Sequence, residues 1–170
     1  ELVSLAQAAG FSALVQVLPW RDVEPEKGRF NWEAADALVR SAQFYGLDVV
    51  LRVDFQPLWA RDTWTNAPPL RLSDYGDFVH AVATRFRGRV RAYIIWNEPN
   101  LALEWGGERP DAQAYSNLLK IAYQRVKAAD PQALVVSAGL APTNENNDQA
   151  VDDRLYLAGM YAAGARDYFD

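Results

Sequence analysis

Tyr93-Ile94-Ile95-Trp96-Asn97-Glu98-Pro99-Asn100 is a run of apolar and β-branched residues that ends abruptly in an amide, a carboxylate and a proline. Proline has no N–H to give to a sheet ladder, so the strand must stop there. A short apolar run bounded in this way is the pattern of a strand buried in a parallel sheet. Asn97 and Glu98 are thereby delivered to the carboxyl edge of the sheet. In α/β proteins that edge binds ligands and carries reactive side chains.

Three other segments share this character: residues 11–18, 48–55 and 133–137. Between them apolar side chains recur every three to four positions, which predicts helices over residues 2–9, 31–45, 73–86, 110–129 and 152–163. Gly10, Gly46 and Gly88 lie where helices should end. Asn31, Ser73 and Asp111 lie where they should start, and Asp130-Pro131 breaks the fourth helix. Strict alternation of helices with strands that are apolar throughout predicts parallel βαβ units in which both faces of the sheet are buried. Two architectures satisfy this pattern: an open doubly wound sheet, or part of a (β/α)8 barrel. No linker composition and no internal sequence repeat divides the chain, so residues 1–170 read as a single α/β domain.

Composition narrows the partners. The 170 residues carry a net charge of −5 and no basic run, which argues against nucleic acid and anionic membrane surfaces. There are no cysteines, so disulfides and thiolate metal sites are excluded. No apolar run approaches the ~20 residues that span a bilayer, and no charged segment followed by an apolar one marks a targeting peptide. The chain opens on Glu1 rather than Met, within a helix-like pattern, so a processed chain or a fragment is expected.

Trp96-Asn97-Glu98-Pro99-Asn100 resembles the signature at the end of strand four in the clan A glycoside hydrolases, the retaining (β/α)8-barrel glycosidases. The segment from Trp20-Arg21-Asp22-Val23-Glu24-Pro25 through Gly28 to Asn31-Trp32 is similar to their loop after strand two. The likeness is greatest to bacterial family 39-type and cellulase-like members, and it extends along essentially the whole chain. It implies a partial (β/α)8 barrel made of strands two to five with their helices. It also implies hydrolysis of an O-glycosyl bond in an oligo- or polysaccharide by retaining double displacement, without cofactor or metal. Glu98 takes the place of the general acid/base, and Asn97 that of the amide that binds the sugar 2-hydroxyl. The chemistry asks for a carboxylic acid held above its ordinary range, so that it can protonate the leaving oxygen near neutral pH.

Other residues are candidates by position. Arg52 and Asp54 lie on one face of their strand by period-two counting, where they could bind sugar hydroxyls or form a structural ion pair. Trp20, Trp59, Trp64, Trp96 and Trp105, five of six tryptophans, fall at or after strand ends. An indole can cover the apolar face of a sugar ring, and Trp20, Trp59 and Trp105 are taken as candidate platforms. Trp32, at a helix start, reads as packing. His80 is mid-helix and reads as structural or surface. The run Asn144 to Asp148 lacks the spacing of a calcium loop.

In the resembled family the nucleophile is a Glu at the end of strand seven, a strand that this count of four does not reach. Glu24, Glu104 and Glu108 lie in suitable loops, yet none matches the nucleophile position. The expectation is a glycoside hydrolase whose 170-residue portion is inactive alone. Two alternatives are a non-catalytic carbohydrate-binding barrel and a doubly wound nucleotide-binding domain, although the latter's glycine-rich phosphate loop does not occur here. By resemblance, an extracytoplasmic or secreted location is favoured.

Overall fold

Residues 2–170 are described by a computed structural model. Helix α1 (Leu2–Ala8) precedes β1 (Ala13–Pro19), which runs directly into the single-turn helix α2 (Trp20–Val23). Then follow α3 (Glu33–Phe44), β2 (Asp48–Asp54), α4 (Leu72–Arg85), β3 (Ala92–Ile95), α5 (Ala112–Ala129), β4 (Leu134–Ser137) and α6 (Asp153–Ala162). Short 3-10 turns cover Ala102–Glu104 and Ala165–Tyr168. Helix starts at Asp111 and Asp152 follow the expected capping chemistry: each side chain accepts two backbone N–H groups of the first turn. Ser73 does not cap α4. The helix begins one residue earlier, after extended Arg71, and its first-turn carboxylate Asp74 pairs with Lys27 and Arg71. Among the described residues no helix is long and apolar enough to cross a membrane.

All three strand pairings are parallel, and the sheet order is β1-β2-β3-β4, identical to the order in the chain. A doubly wound sheet needs a reversal of strand order at a switch point. None is present, so the chain winds in one direction, as in part of a (β/α)8 barrel.

The sheet is sealed on one side. Val49, Leu51, Val53, Ile95 and Val135 are buried beneath the helices, each contributing roughly 1.5–3 kcal/mol by leaving water, and Tyr93 is buried beside them with its hydroxyl unpartnered among the described residues. Helices α4 and α5 pack closely at Gly76, where a Cβ would come within 2.9 Å of Ile121 Cγ1. On the opposite face Val15, Leu134 and the half-buried Val50, Arg52, Ile94 and Val136 meet solvent. Burial on both faces, expected from the apolar strands, therefore holds on the helix side of β2 and β3, whereas on the concave side only Ala92 and Asp54 are buried, because that side faces the interior of a barrel of which four strands are here.

Candidate active site

Two strand ends are shaped by the same device. Tyr75 of α4 donates from its hydroxyl to Val53 O at 2.7 Å, and Tyr115 of α5 donates to Ile95 O at 2.9 Å while accepting Ala138 N at 2.6 Å. Just beyond those carbonyls the backbone turns into the left-handed region at Phe55 (φ 56) and at Trp96 (φ 74), and again at Glu98 (φ 37). Such conformations in bulky residues cost about 1–3 kcal/mol each and persist where surroundings over-determine them. The bend sends the Trp96 ring into the core, where its Nε1 donates to Glu104 O at 2.8 Å. Asn97 and Glu98 are left half-buried at the carboxyl edge.

The loop beyond is held by Asn100, which is fully buried. Its Nδ2 donates to Ala141 O and Val151 O, and its Oδ1 accepts Ala141 N. Glu98 N donates to Gly139 O at 3.1 Å. The loop that follows Asn97 and Glu98 is thus sewn to the segment after β4 through side-chain bonds that sequence position alone does not reveal. Replacing Asn100 by alanine strands three backbone partners in the interior, so Asn100→Ala is expected to lose about 3 kcal/mol of stability. Urea denaturation checks this, and a loss below about 1 kcal/mol would contradict it.

Arg52 links the two strands. Its Nη1 donates to Asn97 Oδ1 at 2.9 Å, and its Nε lies 2.9 Å from Asp54 Oδ2. The second contact is poorly aligned, and neither Asp54 oxygen accepts a well-formed hydrogen bond although the residue is wholly buried. Burial pushes the Asp54 carboxyl up to about 7; Arg52 pulls the other way, and nearby Glu104 adds to the rise. Of the two roles open in the sequence, direct contact with substrate does not fit Asp54, which has no exposed surface. Arg52 retains 26% exposure and spans from Asp54 to the amide beside Glu98.

The tryptophans divide differently from expectation. Trp20 and Trp105 are buried, at 0% and 3% exposure, and cannot serve as platforms. They belong to a row of edge-on rings, Trp20–Tyr75–Trp96–Trp105–Tyr115, with centroids 5.7–6.3 Å apart, which forms the floor beneath the strand ends. A position after a strand does not say which way the ring turns, and here the positive φ at Trp96 and the helical turn at Trp20 carry both indoles inward. Trp59 is half-buried and pinned, donating to Glu24 O at 3.0 Å with Lys27 over its ring. Trp32 stacks on Phe30 and meets Phe86 edge-on, as packing. His80 contacts Arg125 O across the α4–α5 seam.

The remaining glutamates of these loops are engaged. Glu24 is buried and accepts Trp20 Nε1 and Gly28 N, each at 2.7 Å. Glu104 accepts Asn66 Nδ2 at 2.7 Å, and Glu108 pairs with Arg61. The Glu98 carboxylate, by contrast, has no hydrogen bond or ion pair among the described residues. In the run from Asn144 to Asp148, Asn147 folds onto its own loop and Arg154 reaches Asn144, and among the described residues no group of three potential ligands is placed to hold a metal ion.

No family model matches the sequence. The chain is similar to endo-1,4-beta-xylanase 1 of Gibberella zeae, 28% identical over 123 residues. It is also similar to endo-1,4-beta-xylanase 3 of Hypocrea jecorina, 30% identical over 125 residues. These matches cover 67% and 68% of this chain but 33% and 34% of the relatives, so the chain spans about one third of their length. Among solved structures, a family 39 glycoside hydrolase from Bacteroides cellulosilyticus WH2 superposes with a TM-score of 0.67 at 22% identity, over 81% of this chain and 28% of that one. Xylanase 10B from Thermotoga petrophila RKU-1 gives 0.66 at 19% identity, over 98% and 51%. The four parallel strands and their helices thus form part of a (β/α)8 barrel, and the chain is similar to the clan A glycosidases that the residues around Asn97 and Glu98 suggested.

Proposed function

We propose that these 170 residues are the acid/base half of a glycoside hydrolase acting on a polysaccharide by retaining double displacement. The observation that carries the reading is the unpaired Glu98 carboxylate at the carboxyl end of β3, beside an Asn97 amide oriented by Arg52. Glu98 protonates the glycosidic oxygen as the bond breaks, and a second carboxylate attacks the sugar carbon to form a covalent glycosyl-enzyme. Glu98 then takes a proton from water as that water displaces the enzyme carboxylate. Asn97, its carbonyl held by Arg52, has its amide hydrogens left for the sugar hydroxyl next to the reacting carbon. The similarity to xylanases supports a polysaccharide substrate, and the resemblance favours a location outside the cytoplasm.

The mechanism needs the second carboxylate ~5–5.5 Å from the first. Glu24, Glu104 and Glu108 are committed to loop structure, and Asp54 is sealed. The attacking group is assigned, as in the resembled family, to a carboxylate at the end of strand seven, outside these residues. Residues 1–170 alone are expected to show no turnover of 4-nitrophenyl β-xyloside. Hydrolysis that disappears in Glu98→Gln would overturn this and place the nucleophile within the segment.

A further inference from the structure

A cleft of about 430 Å³ opens above the carboxyl ends of β1 and β2, lined among others by Arg21, Asp22, Gln56, Leu58 and Trp64. Its volume lies in the range of small-molecule sites. Its most prominent wall is Trp64, whose side chain is 76% exposed and makes no ring contact among the described residues. An indole left in water in this way contributes little to the core, yet the backbone that carries it is fixed. Buried Gln56 donates to Thr63 O at 3.1 Å and to Thr65 O at 2.9 Å, clamping the chain on either side of Trp64, and its Oε1 accepts Ala67 N at 2.8 Å. The Thr63 and Thr65 hydroxyls bond to each other at 2.8 Å across the turn. The backbone that carries the platform is therefore fixed in place, which lowers the ordering cost of binding.

We infer that Trp64, with Arg21 and Asp22, forms a carbohydrate subsite separate from the ring on which Glu98 acts. This rests on the glycosidase reading for the chemical class of the ligand and extends it to a second sugar unit. The indole offers a flat apolar surface to the C–H face of a sugar ring. Arg21 lies over the Phe55 ring at 4.9 Å, and neither Arg21 nor Asp22 has an ion-pair partner among the described residues, so both are available to hydroxyl groups. One cation beside one anion gives the cleft no preference for charge, which favours a neutral sugar over an acidic one. A cleft over the ends of β1 and β2 opens on the same carboxyl edge of the sheet as Glu98 after β3, the side on which another unit of the same chain of sugars would lie.

The test is a two-dimensional NMR titration of the 170-residue protein with xylotetraose and, separately, with cellotetraose. The Trp64 indole N–H and the Gln56 side-chain amide are expected to shift with at least one probe, while the buried Trp20 indole stays still. Trp64→Ala is expected to weaken binding roughly three- to tenfold, the range of a single ring contact. Trp64→Phe should recover part of it. Because Trp64 is exposed, both variants should keep the parent melting temperature. Absence of shifts with both probes, or binding unchanged in Trp64→Ala, overturns the subsite. Failure of the catalytic reading looks different: Glu98→Ala would then leave turnover unchanged in the whole barrel, with the Trp64 response still present.

Discussion

In a chain carrying all eight strands, Glu98→Ala is expected to lower kcat/KM on xylan by roughly 10²- to 10⁴-fold, the usual range for removing a general acid/base. The size should depend on the leaving group. A sugar alkoxide cannot depart unprotonated, whereas a nitrophenolate departs with little assistance, so formation of the glycosyl-enzyme from activated aryl glycosides should be nearly spared. Its hydrolysis still needs Glu98 as base, and the intermediate should accumulate. Azide, which attacks without giving up a proton, should then restore turnover. Glu98→Gln keeps the side-chain shape and should behave alike, which separates the chemistry from packing. Equal loss on every substrate, with no azide rescue, would remove Glu98 from this role.

Asp54→Asn is expected to change the pH dependence of stability. The carboxyl is raised from 3.8 to about 7 in the folded protein, first by burial, and is ordinary when unfolded. Between about pH 4 and 7 the folded state holds a proton that the unfolded state releases, so stability falls as pH rises through that window. The full shift corresponds to roughly 4 kcal/mol. Below about pH 4 both states are protonated and the penalty vanishes. The lowered carboxyls of Asp36, Asp74, Asp152 and Asp170 act only below the window, where stability is lost as pH falls. Asparagine cannot ionise, so the variant should gain stability relative to the parent at pH 8 and differ little at pH 4.5. Chemical denaturation at the two pH values measures this. Parallel curves for parent and variant would show that Asp54 is not the buried acid.

The alternation of helices and strands is legible in the chain because each element's periodicity is local, and the end of β3 is legible because Pro99 cannot join a ladder. The start of α5 at Asp111 is legible for the same reason, its cap bonding within its own turn. What distant residues decide is not legible in this way. Asp54 is sealed and shifted by a neighbourhood that includes Glu104, fifty positions away, and Asn100 finds its partners at 141 and 151. The inward turn of Trp20 and Trp105 depends on rings contributed by α4, α5 and the end of β3. Trp59 and Trp64 share one loop, yet the Glu24 carbonyl holds the first down and the Gln56 clamp presents the second.

The left-handed backbone at Glu98 sets a conflict for anyone improving this protein. Glycine would relax the bend and remove an unpaired, half-buried carboxylate in one step, so a substitution that eases the backbone here also removes the proposed proton donor. Selection by melting temperature alone would favour glycine at this position and lose the carboxylate with it.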